Sequence, residues 1–374
     1  MKIAVIRQKY VNYGGAEQFV SEYTTHLANA GHNIHIFANQ WSSSGHSNIQ
    51  VHPVRAIKLN SFLRTLSFAW YAARAVRAES FDIVQSHERT WFQDVYRAGD
   101  GCHREWLERR ANYLPSVKRL TFRFNLFHQL VLRLEKAIFE SGKCKKIIAI
   151  SEMVKRDILK HYKLPEDRIE VVYNGVRLDR FHPDNKNRYR NEVRQRLGVA
   201  GDEVMVLFVG SGFERKGLEY LVKAVQFLER KNWRLVLVGK GNWERYLSFA
   251  SDENRKKIIH LDPIDEIETL YASADLFALP SIYEPFGNAN LEALASGLPI
   301  ITSRNCGAAE IITPNKEGIV LEEPSDAKAI AEAIDYLMDP AIREPMGQSA
   351  RSLAEKFTQE RNAETMLIIY EKLA

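Results

Sequence analysis

The clearest chemical signal in the chain is a pair of glutamates, Glu284 and Glu292, with seven residues between them. Upstream, a glycine-rich turn at residues 210–217 carries two adjacent cations, Arg215 and Lys216. Adjacent cations suit a diphosphate, because a guanidinium binds pairs of oxygens and an ammonium acts as a compact point charge. Carboxylates suit hydroxyl groups, because their oxygens accept the hydrogen bonds that hydroxyls donate. The two motifs together predict a site for a ligand that carries both phosphates and hydroxyls.

The predicted secondary structure places both motifs at the same edge of one sheet. Residues 204–209 are a continuous apolar run before the glycine-rich turn, which is typical of a strand buried on both faces. Residues 234–238 and 276–279 predict two more strands, with helical segments between them. Such alternation implies a parallel sheet, whose ligands lie beyond the carboxyl ends of the strands. The cation pair follows the first of these strands, and the first glutamate follows the third.

A helix is predicted over residues 289–296, ended by Gly297. Gly287 and Asn288 would lie near its amino end, where N–H groups face a ligand. Glu292 stands among apolar residues of this helix, and an acid in such a position is costly unless it has a partner. This favours a functional carboxylate over an ordinary acid on a solvated helix face.

Alternation of strands and helices also runs through the first half of the chain, so the fold class is α/β with two domains. The apolar segments at 3–6, 34–37, 81–84 and 146–150 predict its strands. We predict a first domain over residues 1–175 and a second over 176–357, with the final helix, 358–374, returning to the first domain. The apolar stripe on that helix requires a partner surface.

Composition excludes several classes of protein. The chain has 374 residues, of which 45% are hydrophobic and 26% charged, and this is typical of a soluble globular protein. It has no apolar run of the length that a membrane-spanning helix needs. The three cysteines show no metal-ligand spacing and favour a reducing compartment such as the cytoplasm.

Positive charge is concentrated in one segment. The formal net charge is +5, whereas residues 103–146 alone carry about +7. Apolar residues recur there at three- and four-residue spacing, so an amphipathic helix is predicted that either packs on the sheet or lies on a membrane. We expect an anionic membrane surface as the partner of residues 104–146. No zinc-finger, RNA-recognition or helix-turn-helix pattern supports nucleic acid as a partner.

These motifs in this order resemble glycosyltransferase family 4, and the resemblance extends over nearly the whole chain. It is carried by Gly14 and Gly15, the Asn174-Gly175-Val176 triplet, the cation pair and the spaced glutamates. The resemblance implies a retaining, nucleotide-sugar-dependent transferase with the GT-B fold, in which two Rossmann-like domains with parallel sheets face each other across a cleft. Residues 86–90 and 94–103 are similar to glucosyltransferases and related transferases of the lipopolysaccharide core.

The resemblance also implies roles for individual residues. Arg215 and Lys216 would bind the donor diphosphate, Glu284 would lie near the transferred sugar, and Glu292 would bind the ribose hydroxyls. Asp100 is expected to position the acceptor, and we group it with Arg215, Lys216 and Glu284 as catalytic. Further substrate contacts are expected from Gly14, Gly15, Glu17, His87, His103, Asn174, Gly210, Phe286, Gly287, Asn288 and Ala289.

The implied donor is a UDP-sugar such as UDP-glucose, and the implied acceptor is the lipopolysaccharide core or another glycolipid at the inner face of the cytoplasmic membrane. No Asp-x-Asp triplet is present, so we expect neither a metal nor a cofactor. Two alternatives have the same fold: a sugar-nucleotide epimerase or phosphorylase, and a non-catalytic sugar-nucleotide-binding protein associated with the membrane. The intact charged residues of both motifs argue against the non-catalytic alternative.

Overall fold

The computed structural model describes residues 1–8, 15–41, 46–115, 121–122 and 124–374, with the side chains of 15–18 outside the description. The chain forms two compact units. The first comprises Met1–Tyr173 with Gln359–Ala374, and the second comprises Asn174–Thr358. Sequence analysis placed the two divisions after residues 175 and 357.

The first unit contains a seven-stranded parallel sheet with the order β3-β2-β1-β4-β5-β6-β7. Its strands are β1 (Lys2–Ile6), β2 (Asn33–Ala38), β3 (Ile49–Pro53), β4 (Ile83–Ser86), β5 (Val95–Ala98), β6 (Lys146–Ala149) and β7 (Ile169–Val171). Its described helices are α1 (Gly15–Asn29), α2 (Ser61–Val76), α3 (His103–Asn112), α4 (Leu126–Glu140) and α5 (Glu152–His161), followed at the end of the chain by α14 (Gln359–Glu371).

The second unit contains a six-stranded parallel sheet with the order β10-β9-β8-β11-β12-β13. The strands are β8 (Val204–Val209), β9 (Trp233–Val238), β10 (Ile258–Leu261), β11 (Leu276–Leu279), β12 (Ile300–Ser303) and β13 (Gly318–Leu321). The helices are α6 (Asn185–Leu197), α7 (Leu218–Ala224), α8 (Trp243–Leu247), α9 (Asp252–Arg255), α10 (Ile267–Ser273), α11 (Asn288–Ala295), α12 (Ala327–Leu337) and α13 (Pro340–Ala354).

Both units are Rossmann-like, so the predicted fold class is confirmed. In each sheet the strand order reverses direction once, between β1 and β4 in the first and between β8 and β11 in the second. Ligands of such sheets bind beyond the carboxyl ends of the strands at this reversal. The loops that follow β8 and β11 carry the cation pair and Glu284, so the fold brings the two sequence motifs to adjacent strands.

The final helix belongs to the core of the first unit. Met366, Ile369 and Tyr370 are buried in the same apolar cluster as Val20 and Tyr23 of α1. The hydroxyl groups of Tyr23 and Tyr370 are hydrogen-bonded to each other. The apolar stripe predicted on this helix is therefore buried against the first unit, as its spacing requires.

Several predicted elements have different bounds, and the largest difference among the strands is in β4. The strand predicted at 81–84 lies at Ile83–Ser86. Asp82 precedes the strand, and its carboxylate accepts a hydrogen bond from the Lys2 amide at 2.7 Å. The strand instead continues through the polar residues Gln85 and Ser86, which pair with β1 and are fully buried. The helix predicted at 289–296 begins and ends one residue earlier, at Asn288 and Ala295.

Candidate active site

Glu284 lies between the two cations of the glycine-rich turn. Its Oε2 atom is 2.9 Å from Lys216 Nζ, and its Oε1 atom is 3.2 Å from Arg215 Nη1. Burial raises the pKa of the Glu284 carboxyl, but the charges of Arg215 and Lys216 outweigh burial, and its pKa lies below its ordinary value. Glu284 is therefore an ionised carboxylate near neutral pH, and it neutralises part of the charge of the cation pair.

Two glycines allow the turn to take this shape. Gly210 has φ +142°, and a Cβ atom there would lie 2.5 Å from Lys216 Cε, so the lysine side chain passes directly over this residue. Gly217 has φ +72°, and a Cβ atom there would lie 1.8 Å from the Pro280 carbonyl oxygen. Side chains at either position would move Lys216 or the loop before Glu284, so both glycines are needed to bring the cations to the carboxylate.

The loop that carries Glu284 is held by backbone hydrogen bonds on both sides. The Glu284 amide donates to the Asn305 carbonyl at 2.9 Å, and the Gly307 amide donates to the Glu284 carbonyl at 2.9 Å. Phe286 was predicted to contact substrate, but its side chain is 1% exposed and its carbonyl accepts from the Ala308 amide at 2.8 Å. The side chain of Phe286 therefore stabilises the loop from the core.

The amino end of α11 directly follows the loop that carries Glu284. Gly287 is the residue before the helix and has φ +86°, and Asn288 is the first helical residue. The Asn174 side-chain amide donates to Asn288 Oδ1 at 2.6 Å, and Ala289 beside it is half-buried. Because a helix amino end carries partial positive charge, an anionic group is favoured here. The structure thus brings Asn174, Asn288 and the Glu284 loop together.

Glu292 lies one turn further along α11. The hydroxyl of Tyr271 donates to Glu292 Oε2 at 2.8 Å, and Tyr271 is fully buried between Phe181 and Phe277. Burial raises the pKa of the Glu292 carboxyl, and the Tyr271 hydrogen bond, Arg180 and Lys216 offset part of that rise. Lys216 is thus among the groups that favour the ionised form of Glu292.

In the first unit, Gly14 lies outside the described residues. Gly15 and Glu17 are in the first turn of α1, which follows β1, and their side chains are also outside the description. His87 follows β4 and is buried, and the Gln85 side-chain amide donates to its Nε2 at 2.7 Å. Burial and the nearby charges of Arg97 and Arg7 hold the pKa of His87 well below its ordinary value, so its ring is neutral.

Asp100 and His103 follow β5. The Asp100 side chain is 57% exposed and lies 3.7 Å from Arg89 Nη1. His103 is half-buried with its Nε2 atom 3.0 Å from His128 Nδ1. Burial, Arg89 and His128 lower the pKa of His103 to about 3. His103 is therefore a neutral hydrogen-bonding group and not a cation for an anionic acceptor.

A buried glutamate that was not predicted as a site residue binds both Arg89, the partner of Asp100, and the His103 amide. Glu135 of α4 is fully buried, and its Oε1 accepts from Arg89 Nε at 3.0 Å and from the His103 amide at 2.7 Å. Its Oε2 accepts from the Tyr162 hydroxyl at 2.7 Å. The position of Glu135 on the apolar face of an amphipathic helix was the available signal, since the same argument identified Glu292.

The basic segment has two different halves. The carboxyl-terminal half is buried, since Leu134 of α4 packs on α2 and Phe139 contacts Tyr96 of β5, whereas Phe124 before the helix is 77% exposed. The cations Lys118, Arg119 and Arg123 lie outside the described residues. Among the residues that are described, no helix is long and apolar enough to cross a membrane.

One group of side chains in the described residues has the spacing of metal ligands. Glu105, Glu108 and His161 offer ligand atoms within 4.8 Å of one another. The Glu105 carboxylate already accepts from Arg109 Nε at 2.8 Å and Lys160 Nζ at 2.7 Å. These cations compete with a metal ion for the carboxylate, and the group is distinct from the glutamates and cations of the second unit.

Comparison with known proteins gives two family matches, one for each unit. The family described as Glycosyltransferase Family 4 matches residues 13–180, and the family described as Glycosyl transferases group 1 matches residues 189–353. Lipopolysaccharide glucosyltransferase WaaG of Escherichia coli strain K12 is 25% identical over 360 residues, which cover 95% of this chain and 94% of that protein. Uncharacterized glycosyltransferase MJ1607 of Methanocaldococcus jannaschii is 34% identical over 60% of this chain and 59% of its own length.

Solved structures show the same fold. The crystal structure of WaaG, described as a glycosyltransferase involved in lipopolysaccharide biosynthesis, matches with a TM-score of 0.86 at 24% identity, over 98% of this chain and 99% of that one. Anabaena HepE in complex with UDP-glucose matches with a TM-score of 0.74 at 17% identity, over all of both chains. With family matches in both units and a relative aligned along almost its full length, the chain belongs to glycosyltransferase family 4 and has the GT-B fold.

Proposed function

We propose that the protein is a retaining, metal-independent hexosyltransferase. Its donor is a nucleotide sugar, with UDP-glucose the first to test, and its acceptor is the lipopolysaccharide core or another glycolipid. The observation that carries this proposal is the buried Glu284 carboxylate bound by both Lys216 and Arg215 at the reversal of the second sheet. The name of the relative WaaG supports the acceptor class, and the ligand of HepE supports the donor.

The cation pair suits a donor diphosphate. Arg215 has a side chain that is 33% exposed, so its guanidinium can meet a ligand while one nitrogen remains on Glu284. When a diphosphate arrives, the two cations gain new anionic partners and Glu284 can accept a hydrogen bond from a sugar hydroxyl. Charge that develops on the leaving diphosphate is then stabilised by groups already in position.

The reaction needs no carboxylate nucleophile. In the proposed step the bond from the anomeric carbon to the phosphate oxygen breaks, and the acceptor oxygen bonds to that carbon from the same face. The acceptor proton passes to the leaving phosphate oxygen. Glu284 is a poor proton donor because its pKa is lowered, and its part is to orient the sugar and the cations.

Glu292 and α11 complete the donor site in this proposal. The Tyr271 hydroxyl binds Glu292 Oε2, and the second carboxylate oxygen is proposed to accept from a ribose hydroxyl. The first turn of α11, with Gly287, Asn288 and Ala289, is proposed to favour the phosphates through its positive end. Asn174 orients Asn288 through their hydrogen bond.

On the acceptor side, Asp100 is proposed to orient the attacking hydroxyl, with His87 and His103 as neutral hydrogen-bonding groups. The basic residues of 104–146 are proposed to bring the protein to the anionic inner face of the cytoplasmic membrane, where a glycolipid acceptor lies. Gly14, Gly15 and Glu17 remain proposed substrate contacts on the basis of the family motif.

The test is a panel of radiolabelled nucleotide sugars offered with truncated lipopolysaccharide extracts. We expect one donor to give a labelled lipid product that forms only when acceptor is present. Donor that is consumed or interconverted without an acceptor would instead indicate an epimerase. Because no acidic triplet is available for a divalent ion, transfer should persist in EDTA. Loss of transfer in EDTA and its recovery with magnesium or manganese would contradict the metal-independent part of the proposal.

A further inference from the structure

The three most exposed large apolar side chains of the described residues lie near one another in the fold. They are Leu59, which is 80% exposed, Phe124, which is 77% exposed, and Leu126, which is 68% exposed. Ile57, beside Leu59, is 50% exposed. Large apolar side chains are rarely left in water together unless they contact something.

The topology explains why these residues share one edge. The helices α2 and α4 each connect two parallel strands of the first sheet, so both run against the strands and begin at the carboxyl edge. They pack directly on each other, because Phe62 and Leu66 of α2 contact the cluster that contains Leu130 and Leu134 of α4. The turn at residues 55–60 and the start of α4 therefore lie side by side at this edge.

The charged residues that flank these positions in the sequence are all cations. Residues 54–78 contain five Lys and Arg and no Asp or Glu, and residues 109–134 contain six Lys and Arg and no Asp or Glu. Arg55, Lys58 and Arg64 are exposed at the beginning of α2. Exposed apolar side chains whose flanking sequence carries only cations match an anionic lipid surface, in which apolar groups enter and cations remain at the headgroups. A second copy of the chain would present the same positive charge and be repelled.

We propose that the turn at residues 55–60 is a second lipid-docking element beside the start of α4, with Leu59 as its inserting tip. The proposal rests on the membrane location given above and adds a segment outside residues 104–146. Ile57 and Leu59 would enter the apolar boundary of an anionic bilayer. Arg55 and Lys58 would contact the phosphate-bearing headgroups.

A single introduced thiol tests insertion directly in the full chain. The three cysteines of the chain are all buried, so Leu59→Cys can be labelled selectively with an environment-sensitive fluorophore. The matched control is Ile368→Cys, at an exposed apolar position of α14 in the same unit, 52% exposed. With phosphatidylglycerol vesicles we expect a blue shift of the label at residue 59 and none at residue 368. Equal spectra at residue 59 with and without vesicles would overturn the proposal.

Substitutions separate the apolar and charged contributions in vesicle sedimentation. Ile57→Ser with Leu59→Ser should weaken binding to phosphatidylglycerol vesicles by at least about tenfold, whereas Ile368→Ser should not. Arg55→Gln with Lys58→Gln should weaken binding by about fivefold per cation at low salt. The charge control is Arg196→Gln with Arg230→Gln, two exposed cations of the second unit. Calorimetric unfolding should show the transitions of both units unchanged in all variants, which shows that they are folded.

The outcomes distinguish this inference from the proposed membrane location. Failure of the wild-type protein to bind anionic vesicles would contradict both the proposed membrane location and the second docking element. Wild-type protein that binds, with the Ile57 and Leu59 variant binding equally well, would contradict only the second docking element. A blue shift at residue 59 that depends on protein concentration without vesicles would show an interface between copies of the chain, and the lipid proposal would be wrong.

Discussion

Glu284 is the residue on which the proposed donor site depends, because it is the anion bound to the two cations that would meet a diphosphate. Its carboxylate holds Lys216, which is 12% exposed, and Arg215, which is more open to solvent. Removing one partner of a buried charged group leaves the other uncompensated. Each of the three residues therefore affects the position and the charge of the other two.

Replacement of Arg215 or Lys216 by alanine should lower turnover about a hundredfold or more, because each cation stabilises charge on the leaving diphosphate. The measurement is the rate of labelled transfer at saturating donor. Arg304→Ala serves as a control, since Arg304 is an exposed arginine of the same unit whose guanidinium pairs with Glu322. Turnover within about threefold of wild type in both variants would contradict the assignment.

Tyr271 and Glu292 should act together on donor affinity. Glu292→Ala should weaken UDP binding more than Glu292→Gln, because an amide still offers a hydrogen-bonding oxygen. Tyr271→Phe should weaken it by about 1 kcal/mol through the lost orientation of the carboxylate. Calorimetry with UDP is the measurement. Unchanged affinity in Glu292→Ala would contradict the ribose role, and unchanged affinity in Tyr271→Phe alone would contradict only the orienting role.

The Tyr271 and Glu292 pair should also make UDP affinity depend on pH. Burial raises the pKa of Glu292, so its ionised form, the better hydrogen-bond acceptor, is lost at a higher pH than for an ordinary glutamate. UDP affinity in the wild type should therefore fall as pH drops towards this raised pKa. Glu292→Gln has no proton to gain and should remove that part of the fall.

For the proposed donor site, the sequence indicated charged residues at strand ends but not the contacts around them. Glu284, Glu292 and the cations were identifiable because acids and paired cations at strand ends are unusual. The direct contact of Glu284 with both cations was not identifiable, since it depends on β8 and β11 being neighbours. Glu135 was missed because its partners, Arg89 and the His103 amide, come from distant parts of the chain.

At the scale of elements, the apolar runs of the sequence predicted the buried strands. They did not predict those parts of strands that consist of polar residues. Strand β8 has the bounds that its apolar run predicts. Strand β4 begins and ends two residues later than predicted, because an apolar pattern does not reveal that the polar residues Gln85 and Ser86 are buried strand residues. Helix α11 begins and ends one residue before its predicted bounds. Helix ends depend on local hydrogen bonds that an apolar pattern does not encode.

The glycine-rich turn provides a test of how an element positions a side chain. Gly210→Ala should displace Lys216 and abolish measurable UDP binding, in addition to a strain cost of about 1 to 3 kcal/mol. Gly198→Ala is the matched control, since Gly198 also has positive φ, +67°, but no atom near its added Cβ. Both variants should lose stability in thermal unfolding, and only the first should lose UDP binding. Retained binding in Gly210→Ala would show that Lys216 can adjust without cost to the donor site.

At the scale of the whole molecule, the chain passes between its two units at two places. Within the second unit these passages are side by side, since the Val176 amide donates to the Phe357 carbonyl at 2.9 Å. In the first unit, the Asn362 side-chain amide donates to the Tyr173 carbonyl at 2.5 Å. The last helix is thus fixed to the first unit at its beginning by hydrogen bonds and along its length by apolar burial.

Truncation after Phe357 should therefore destabilise the first unit and leave the second able to bind UDP. The deletion uncovers the face of α1 against which Met366, Ile369 and Tyr370 are buried, and each such side chain contributes about 1.5 to 3 kcal/mol. A loss of this size is comparable to the whole stability of a domain. Calorimetric unfolding should show the transition of the first unit lowered or absent, transfer should be lost, and UDP binding should persist. Deletion of Lys372 to Ala374 is the control, because it spares all three buried side chains, and it should leave both transitions in place. A truncated protein with an unchanged melting profile and full transfer would contradict a structural role for the last helix.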